Sequence, residues 1–369
     1  MQTSEFLSSV IDGSLFSRKA LTAEEDDRSL QVESDRRQTP RRLALADYEP
    51  SNRAQRLLAL AKDLGDRLLP AFDSPTGLPF ARINLRTGLD RDETEETCAA
   101  ATGSLTLEFT VLSRLTGNPV YERVARESFM NTWSRRAPTT GLLGNSIGVR
   151  HGHWMMPGAS GIGAGIDSFY EYALKGAILF DDDAYMGVWD DSYRSVMQHV
   201  RSPDLHLVSA FGLIQTIVCQ QMCFVLQFRN VYMANGRPVG ALLDSLSAFW
   251  PGLQVVAGDV ENAIKSHLLY WHLWQKHSSL PEGFDYVNKT VLWSGYPLRP
   301  EFIESTYWLY RATKDSFYLE VGKRILKDLT KRTKVRCGFA VLHNLHTGAV
   351  STNRPKAKFS PHAEPGNRS

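Results

Sequence analysis

Three acidic segments carry the chemistry this chain is equipped for. TGSLTLEF ends on Glu108 and Phe109, GIGAGIDSFYEY sets Asp167 among small and aromatic residues, and YPLRPEFIES carries Glu301 and Glu304. A lone charge among apolar neighbours is costly to desolvate, so three such placements mark a candidate site. Carboxyl groups held in different environments let one pocket carry an acid and a base at the same pH. On a helix Glu108 shares its face with Ala101, Ser104, Leu105, Val111 and Leu115, surroundings that predict a raised pKa suited to a proton donor. Glu301 follows Arg299 and Pro300 at a helix start, where the cation and the helix dipole predict the ionised form suited to a base. The plainer alternatives are a buried acid bridging helices at Glu108 and an ordinary first-turn residue at Glu301.

The elements that must position these groups read as helices. Leu57, Leu60, Ala61, Leu64 and Leu68 recur at helical spacing behind Ser51, and Pro70 stops the run. Residues 73–93 are turn-rich and non-periodic, and long loops of this kind are often functional. Further helices are expected at 97–116, 119–135, 162–180, 184–199, 260–276, 300–313 and 316–332, with Asn118, Pro119 and Glu122 starting the second. An internal echo joins LSRLTGNPVYERVAR (112–126) to LYRATKDSFYLEVGK (309–323), matching Leu112/Leu309, Arg114/Arg311, Thr116/Thr313, Tyr121/Tyr318 and Val124/Val321. Each copy reads as helix, tight turn, helix, with Glu108 or Glu304 about one turn upstream. Repeated hairpins that present equivalent positions inward predict an all-α ring, an (αα) barrel with loops converging at one end. Residues 1–50 read as a poorly ordered leader, 51–345 as the barrel domain and 346–369 as a disordered tail.

Composition narrows the function classes. With 369 residues, 43% hydrophobic and 22% charged, and a net charge of +2, the chain has material for a sizeable core. It carries no basic stripe with interleaved aromatics, which disfavours nucleic acid. Cys98, Cys219, Cys223 and Cys337 are too few for a disulfide scaffold and lack metal-site spacing. A single Cys98 to Cys337 bridge remains open. MQTSEFLSSV has neither the basic nor the apolar stretch of a signal peptide. Asn288, in NKT, is an N-glycosylation sequon that matters only in a secretory lumen.

TGSLTLEFTVLSRLTGNP, GIGAGIDSFYEYALKGAILF, SAFWPGLQVVAGDVENA, GYPLRPEFIESTYWLYRAT and CGFA resemble glycoside hydrolase family 47, the α-1,2-mannosidases, from about Ala54 to about Leu342. Gly165 before Asp167, and Ser245 with Trp250 before PGL, resemble the family's ER degradation-enhancing α-mannosidase-like branch. The resemblance implies an (αα)7 barrel with a calcium ion at its base. It implies inverting hydrolysis of terminal α-1,2-mannose from high-mannose N-glycans of misfolded glycoproteins in the endoplasmic reticulum. It assigns Glu108 as general acid acting through a water, Glu301 as base and Asp167 as a third essential carboxylate. Arg299, Glu304, Glu282 and Phe249 resemble residues lining the sugar pocket. An ER oxidoreductase is the partner that this branch suggests.

Three departures temper that expectation. The family's first barrel helices have no convincing counterpart in residues 1–50. The late Glu-Ser-Phe-Phe segment and the Thr-Glu motif whose threonine binds calcium are not found, so no metal ligand is assigned. Between SPD at 202 and RNVYMANGRP at 229 runs LHLVSAFGLIQTIVCQQMCFVLQF, an uncharged stretch in which 208–227 reads as a translated intron. A buried inserted helix and a membrane span are the alternatives. The competing functions are a mannose-glycan-binding pseudoenzyme and an unrelated (αα) toroid such as a terpenoid cyclase, for which no Asp-rich metal motif is present.

Overall fold

The computed structural model describes residues 52–350 apart from 91, 157, 203–204, 207–223 and 226. The leader reading, most of the tail and nearly all of the 208–227 insertion lie outside them.

Ten α-helices are described: α1 (Asn52–Leu68), α2 (Ala99–Gly103), α3 (Thr106–Thr116), α4 (Val120–Ser134), α5 (Asp167–Phe180), α6 (Asp183–Ser195), α7 (Trp250–Val256), α8 (Val260–His277), α9 (Glu301–Thr313) and α10 (Ser316–Thr333). They pair as hairpins α3–α4, α5–α6, α7–α8 and α9–α10, and the first members also touch across pairs: α3 against α5, and α7 against α9. The turn Ser245–Phe249 joins this inner row by contacting both α5 and α9. The architecture is the all-α wall of an (αα)7 barrel. Short antiparallel strands at the helix ends organise the loops, chiefly the three-stranded sheet Leu242–Asp244, Gly283–Asp285 and Thr290–Trp293.

The internal echo is structural as well as sequential. α3 ends on Gly117 and α9 on Lys314, both in the left-handed conformation that reverses the chain. Thr116 Oγ1 donates to Leu112 O at 2.7 Å and Thr313 Oγ1 to Leu309 O at 2.8 Å. Asn118 and Asp315 then each accept a backbone N–H two residues on, opening α4 and α10. Tyr121, Tyr318, Leu112, Leu309 and Val321 are buried.

Expected boundaries shift where local chemistry intervenes. The predicted helix 97–116 is a strand, Glu96–Cys98, followed by α2 and α3 with a break at Ser104–Leu105. The one expected from 162 begins at Asp167, because Gly163 and Gly165 form a turn instead. The segment 250–256, unassigned from sequence, is helical with Pro251 in its first turn. Residues 342–350 form a hairpin, pairing Leu342–Asn344 with Ala349–Val350, so order extends beyond 346. In α1 the leucine stripe is packed only at its end: Leu68 lies against the Phe109 and Tyr121 cluster, while Leu57, Leu60 and Leu64 are exposed. Contact is made at Gly65, where a Cβ would stand 2.7 Å from Leu112 Cδ2 and 3.0 Å from Tyr121 Cε1. The smallest residue marks the closest approach.

The largest core cluster centres on Trp250, fully buried and ringed by Tyr170, Trp189, Tyr193, Phe228 and Phe249 at 5.6–6.2 Å between ring centroids. It locks α5, α6 and α7 behind the carboxylates. Cys98 and Cys337 are both free thiols in this structure. Cys98 Sγ is instead the acceptor at the start of α2, taking the Ala101 N–H at 3.4 Å.

Candidate active site

The loop into α5 is drawn tight around one carboxylate. Ala164 N donates to Asp244 Oδ1 at 3.2 Å, and a Cβ at Gly163 would stand 2.0 Å from Asp244 Oδ2, so only glycine fits. Gly165 turns the chain at φ +88° and its carbonyl accepts the Ala100 N–H of α2. Asp167 follows as the first residue of α5, its Oδ1 accepting from Ser168 N at 2.6 Å and Ser168 Oγ at 3.0 Å. Asp244 closes the strand Leu242–Asp244 and caps the next turn by accepting from Ser247 N at 3.2 Å.

A fixed ion pair stands beside these acids. Arg299 Nε and Nη2 donate to Glu282 Oε1 and Oε2, each at 2.8 Å, and Ser245 Oγ donates to the same Oε1 at 2.8 Å. Tyr296 Oη holds the Arg299 carbonyl at 3.0 Å. Bidentate geometry of this kind fixes direction as well as charge. Glu301 opens α9 two residues later, and its Oε2 is buried with no hydrogen-bond partner among the described residues.

The electrostatics follow from enclosure. Burial pushes the Glu301 carboxyl up to about 7, Asp167 and Glu282 adding repulsion, while its own backbone N–H and Arg299 pull the other way. Asp244 is pushed up to about 6 by burial and by Asp167. Asp167 is raised by burial, opposed by its bonds from Ser168. Asp167 raises both Asp244 and Glu301, so the three carboxyls share one enclosed, mutually repelling environment. The helix dipole and Arg299 do favour the ionised form of Glu301, as expected, but desolvation outweighs both and raises its pKa.

Glu108 is placed differently from the expectation. It lies in the first turn of α3 and is exposed, as are Val111 and Leu115, so the predicted apolar shell is absent. The break at Ser104–Leu105 takes Ala101 off its face. Its Oε1 accepts from Tyr172 Oη of α5 at 2.7 Å. Burial and the Glu108 carboxylate raise the Tyr172 hydroxyl, which keeps it a donor.

The other expected pocket residues divide. Glu282 and Arg299 form the clamp. Glu304 lies one turn beyond Glu301, 4.0 Å from Lys175 Nζ of α5, and accepts from Trp308 Nε1 at 3.4 Å. Phe249 is core, 7% exposed against Trp250, and does not present its ring to solvent. Asn288 is exposed in the turn before Thr290, where its Nδ2 donates to Asp285 Oδ2 at 2.8 Å. Asp244, Ser245 and Tyr172 were not singled out from sequence as members of the site. Asp244 had a readable signal, since Asp-Ser-Leu-Ser before an apolar run is a cap sequence.

A calcium ion takes six to eight oxygen ligands. Among the described residues no group of three or more His, Cys, Asp or Glu side chains converges to hold a metal, so no chemical step here is routed through one.

The chain belongs to glycosyl hydrolase family 47, whose family pattern matches residues 14–356. That match begins within the stretch set aside as a leader. The chain is 46% identical over 303 residues to ER degradation-enhancing alpha-mannosidase-like protein 1 of Schizosaccharomyces pombe, covering 82% of this chain and 36% of that protein. It is 42% identical to Alpha-mannosidase I MNS4 of Arabidopsis thaliana, covering 77% and 42% respectively. It thus spans half or less of the length of these relatives. In fold it matches the alpha-1,2-mannosidase from Trichoderma reesei at a TM-score of 0.69 and 23% identity, covering 82% of this chain and 67% of that one. No helix among the described residues is long and apolar enough to cross a membrane.

Proposed function

We propose that the chain is the barrel of an inverting α-1,2-mannosidase that trims terminal mannose from high-mannose N-glycans of misfolded glycoproteins in the endoplasmic reticulum. The observation that carries the reading is Glu301: a half-buried carboxyl near pKa 7 with one oxygen unpartnered, beside a guanidinium fixed by a second carboxylate. Once ionised, the Glu301 carboxylate accepts a proton from water as that water attacks the anomeric carbon. Glu108, held by Tyr172, delivers a proton through a water to the departing oxygen. Inversion requires the two carboxyls to face opposite sides of the sugar, roughly 6.5–9.5 Å apart. Asp167 and Asp244 supply negative charge beside the positive charge that develops on the sugar, and the Arg299–Glu282 clamp orients its hydroxyls. Calcium, implied by the family, would aid binding of a polyol. An oxidoreductase partner in the lumen would meet Cys337 exposed.

The test is incubation of the protein with a free high-mannose N-glycan, following mannose by proton NMR. β-Mannose as the first-formed anomer, lost in Glu108→Gln and Glu301→Gln, supports the assignment. α-Mannose refutes inversion. Glycan binding with no release singles out the pseudoenzyme.

A further inference from the structure

One exposed aromatic ring stands in register with the acid cluster. In the three-stranded sheet Asp244 is paired with Gly283, and Gly283 with Trp293. Directly opposed residues of antiparallel strands project from the same face. The indole confirms that face, because a Cβ on Gly283 would lie 2.3 Å from Trp293 Cε3 and 2.9 Å from its Cδ2. The ring therefore lies across the space left by the missing side chain, toward the strand that carries Asp244. Two strand spacings separate Trp293 from Asp244, about 10 Å between backbones.

Trp293 is nevertheless 53% exposed. A large apolar ring left in water beside a polar pocket is where a ligand's apolar face is received. Of the other exposed rings among the described residues, Tyr307 is covered by Arg311, Phe339 sits on the 334–339 hairpin beyond α10, and Tyr232 lies on the strand paired with Ala159–Ser160. The same strand leads directly to the clamp, since Glu282 N donates to Gly295 O at 3.1 Å and Arg299 follows four residues on.

We propose that Trp293 is a stacking platform for an inner pyranose of the glycan whose terminal mannose occupies the cluster of Asp167, Asp244 and Glu301. A pyranose presents a face of C–H groups to an indole while its hydroxyls stay solvated at the rim, and aromatic contacts of this kind are worth up to about a tenfold change in affinity. Gly283 is part of the device, because any side chain there would lift the ring. The platform rests on the mannosidase reading for the identity of its ligand and sets how the longer chain is held.

The experiment measures calorimetric binding to the full chain in the Glu301→Gln background, so turnover plays no part. Trp293→Ala is expected to weaken a free high-mannose N-glycan about tenfold while leaving methyl α-mannoside unchanged, and Trp293→Tyr to restore most of the loss. Equal glycan affinity with and without the indole overturns the platform, as does equal loss for both ligands. Failure of the Glu301→Gln protein to bind the glycan also overturns it. Mannose release by the unsubstituted protein is scored separately, so the platform and the catalytic reading fail by different results.

Discussion

Replacing Glu301 by glutamine tests the electrostatic argument without any substrate. The folded carboxyl titrates at about 7 against an ordinary 4.5. That span corresponds to ~3 kcal/mol between its charged and neutral forms, and solvent contact of this half-buried group reduces the usable part to ~1–2 kcal/mol. The native state holds the proton more tightly than the unfolded chain. Ionisation therefore costs native stability, progressively as pH rises from 4.5 to 7 and to a constant extent above. Glutamine does not titrate. Urea unfolding of both proteins at half-unit steps from pH 4.5 to 8 should show Glu301→Gln gaining ~1–2 kcal/mol on the parent across that window. The difference reports Glu301 together with its repulsion of Asp167, both of which oppose ionisation as pH rises. A constant offset, or a parent that gains on the variant as pH rises, would refute the claim that burial dominates at Glu301.

The same carboxyl sets the acidic limb of mannose release: kcat/KM should fall about tenfold per unit below pH 7, and a midpoint at or below pH 5 would remove Glu301 from the base's role. Gly163→Ala forces a methyl into Asp244 Oδ2, and should cost ~1–3 kcal/mol in denaturant titration together with activity. Asp182→Ala removes the cap that accepts Ala184 N at 2.9 Å, and an ion pair to Arg126. It should lose ~1–2 kcal/mol of stability with mannose release unchanged, which circular dichroism melts and the glycan assay together decide.

Helical hairpins were legible because their periodicity and turn chemistry are local. Thr116 and Thr313 make the same back-bond, and Asn118 and Asp315 the same cap, wherever the chain folds. The carboxylates themselves were legible as types out of place. Their ionisation was not. Glu301 carries a local signal for the charged form, yet its pKa is raised first by burial and then by Asp167 and Glu282, which come from other parts of the chain. The placement of Glu108 was misread too, since an apolar helical face written through 101–115 ignores the break at Ser104–Leu105, and Glu108 is exposed. Asp244 escaped notice because its role is made by Gly163 and Ala164, some eighty residues earlier. The α1 stripe misled for a related reason: a helix chooses its contact face by what approaches it, and at Gly65 two bulky neighbours do.

The chain on either side of residues 207–223 is joined at one place between α6 and the central sheet. Ser202 N donates to Gln227 O at 2.8 Å, Arg229 N to Val200 O at 3.0 Å, and Leu205 pairs with Val225. Phe228, just past the join, is anchored on Trp250. Two chain ends already tied together are indifferent to how much polypeptide runs between them, as doubling such a loop costs only ~0.6 kcal/mol. The barrel thus carries a port at which length is nearly neutral, open to gain or loss of sequence by splicing, by descent or by an engineer inserting a reporter, while the carboxylates stay where the helices hold them.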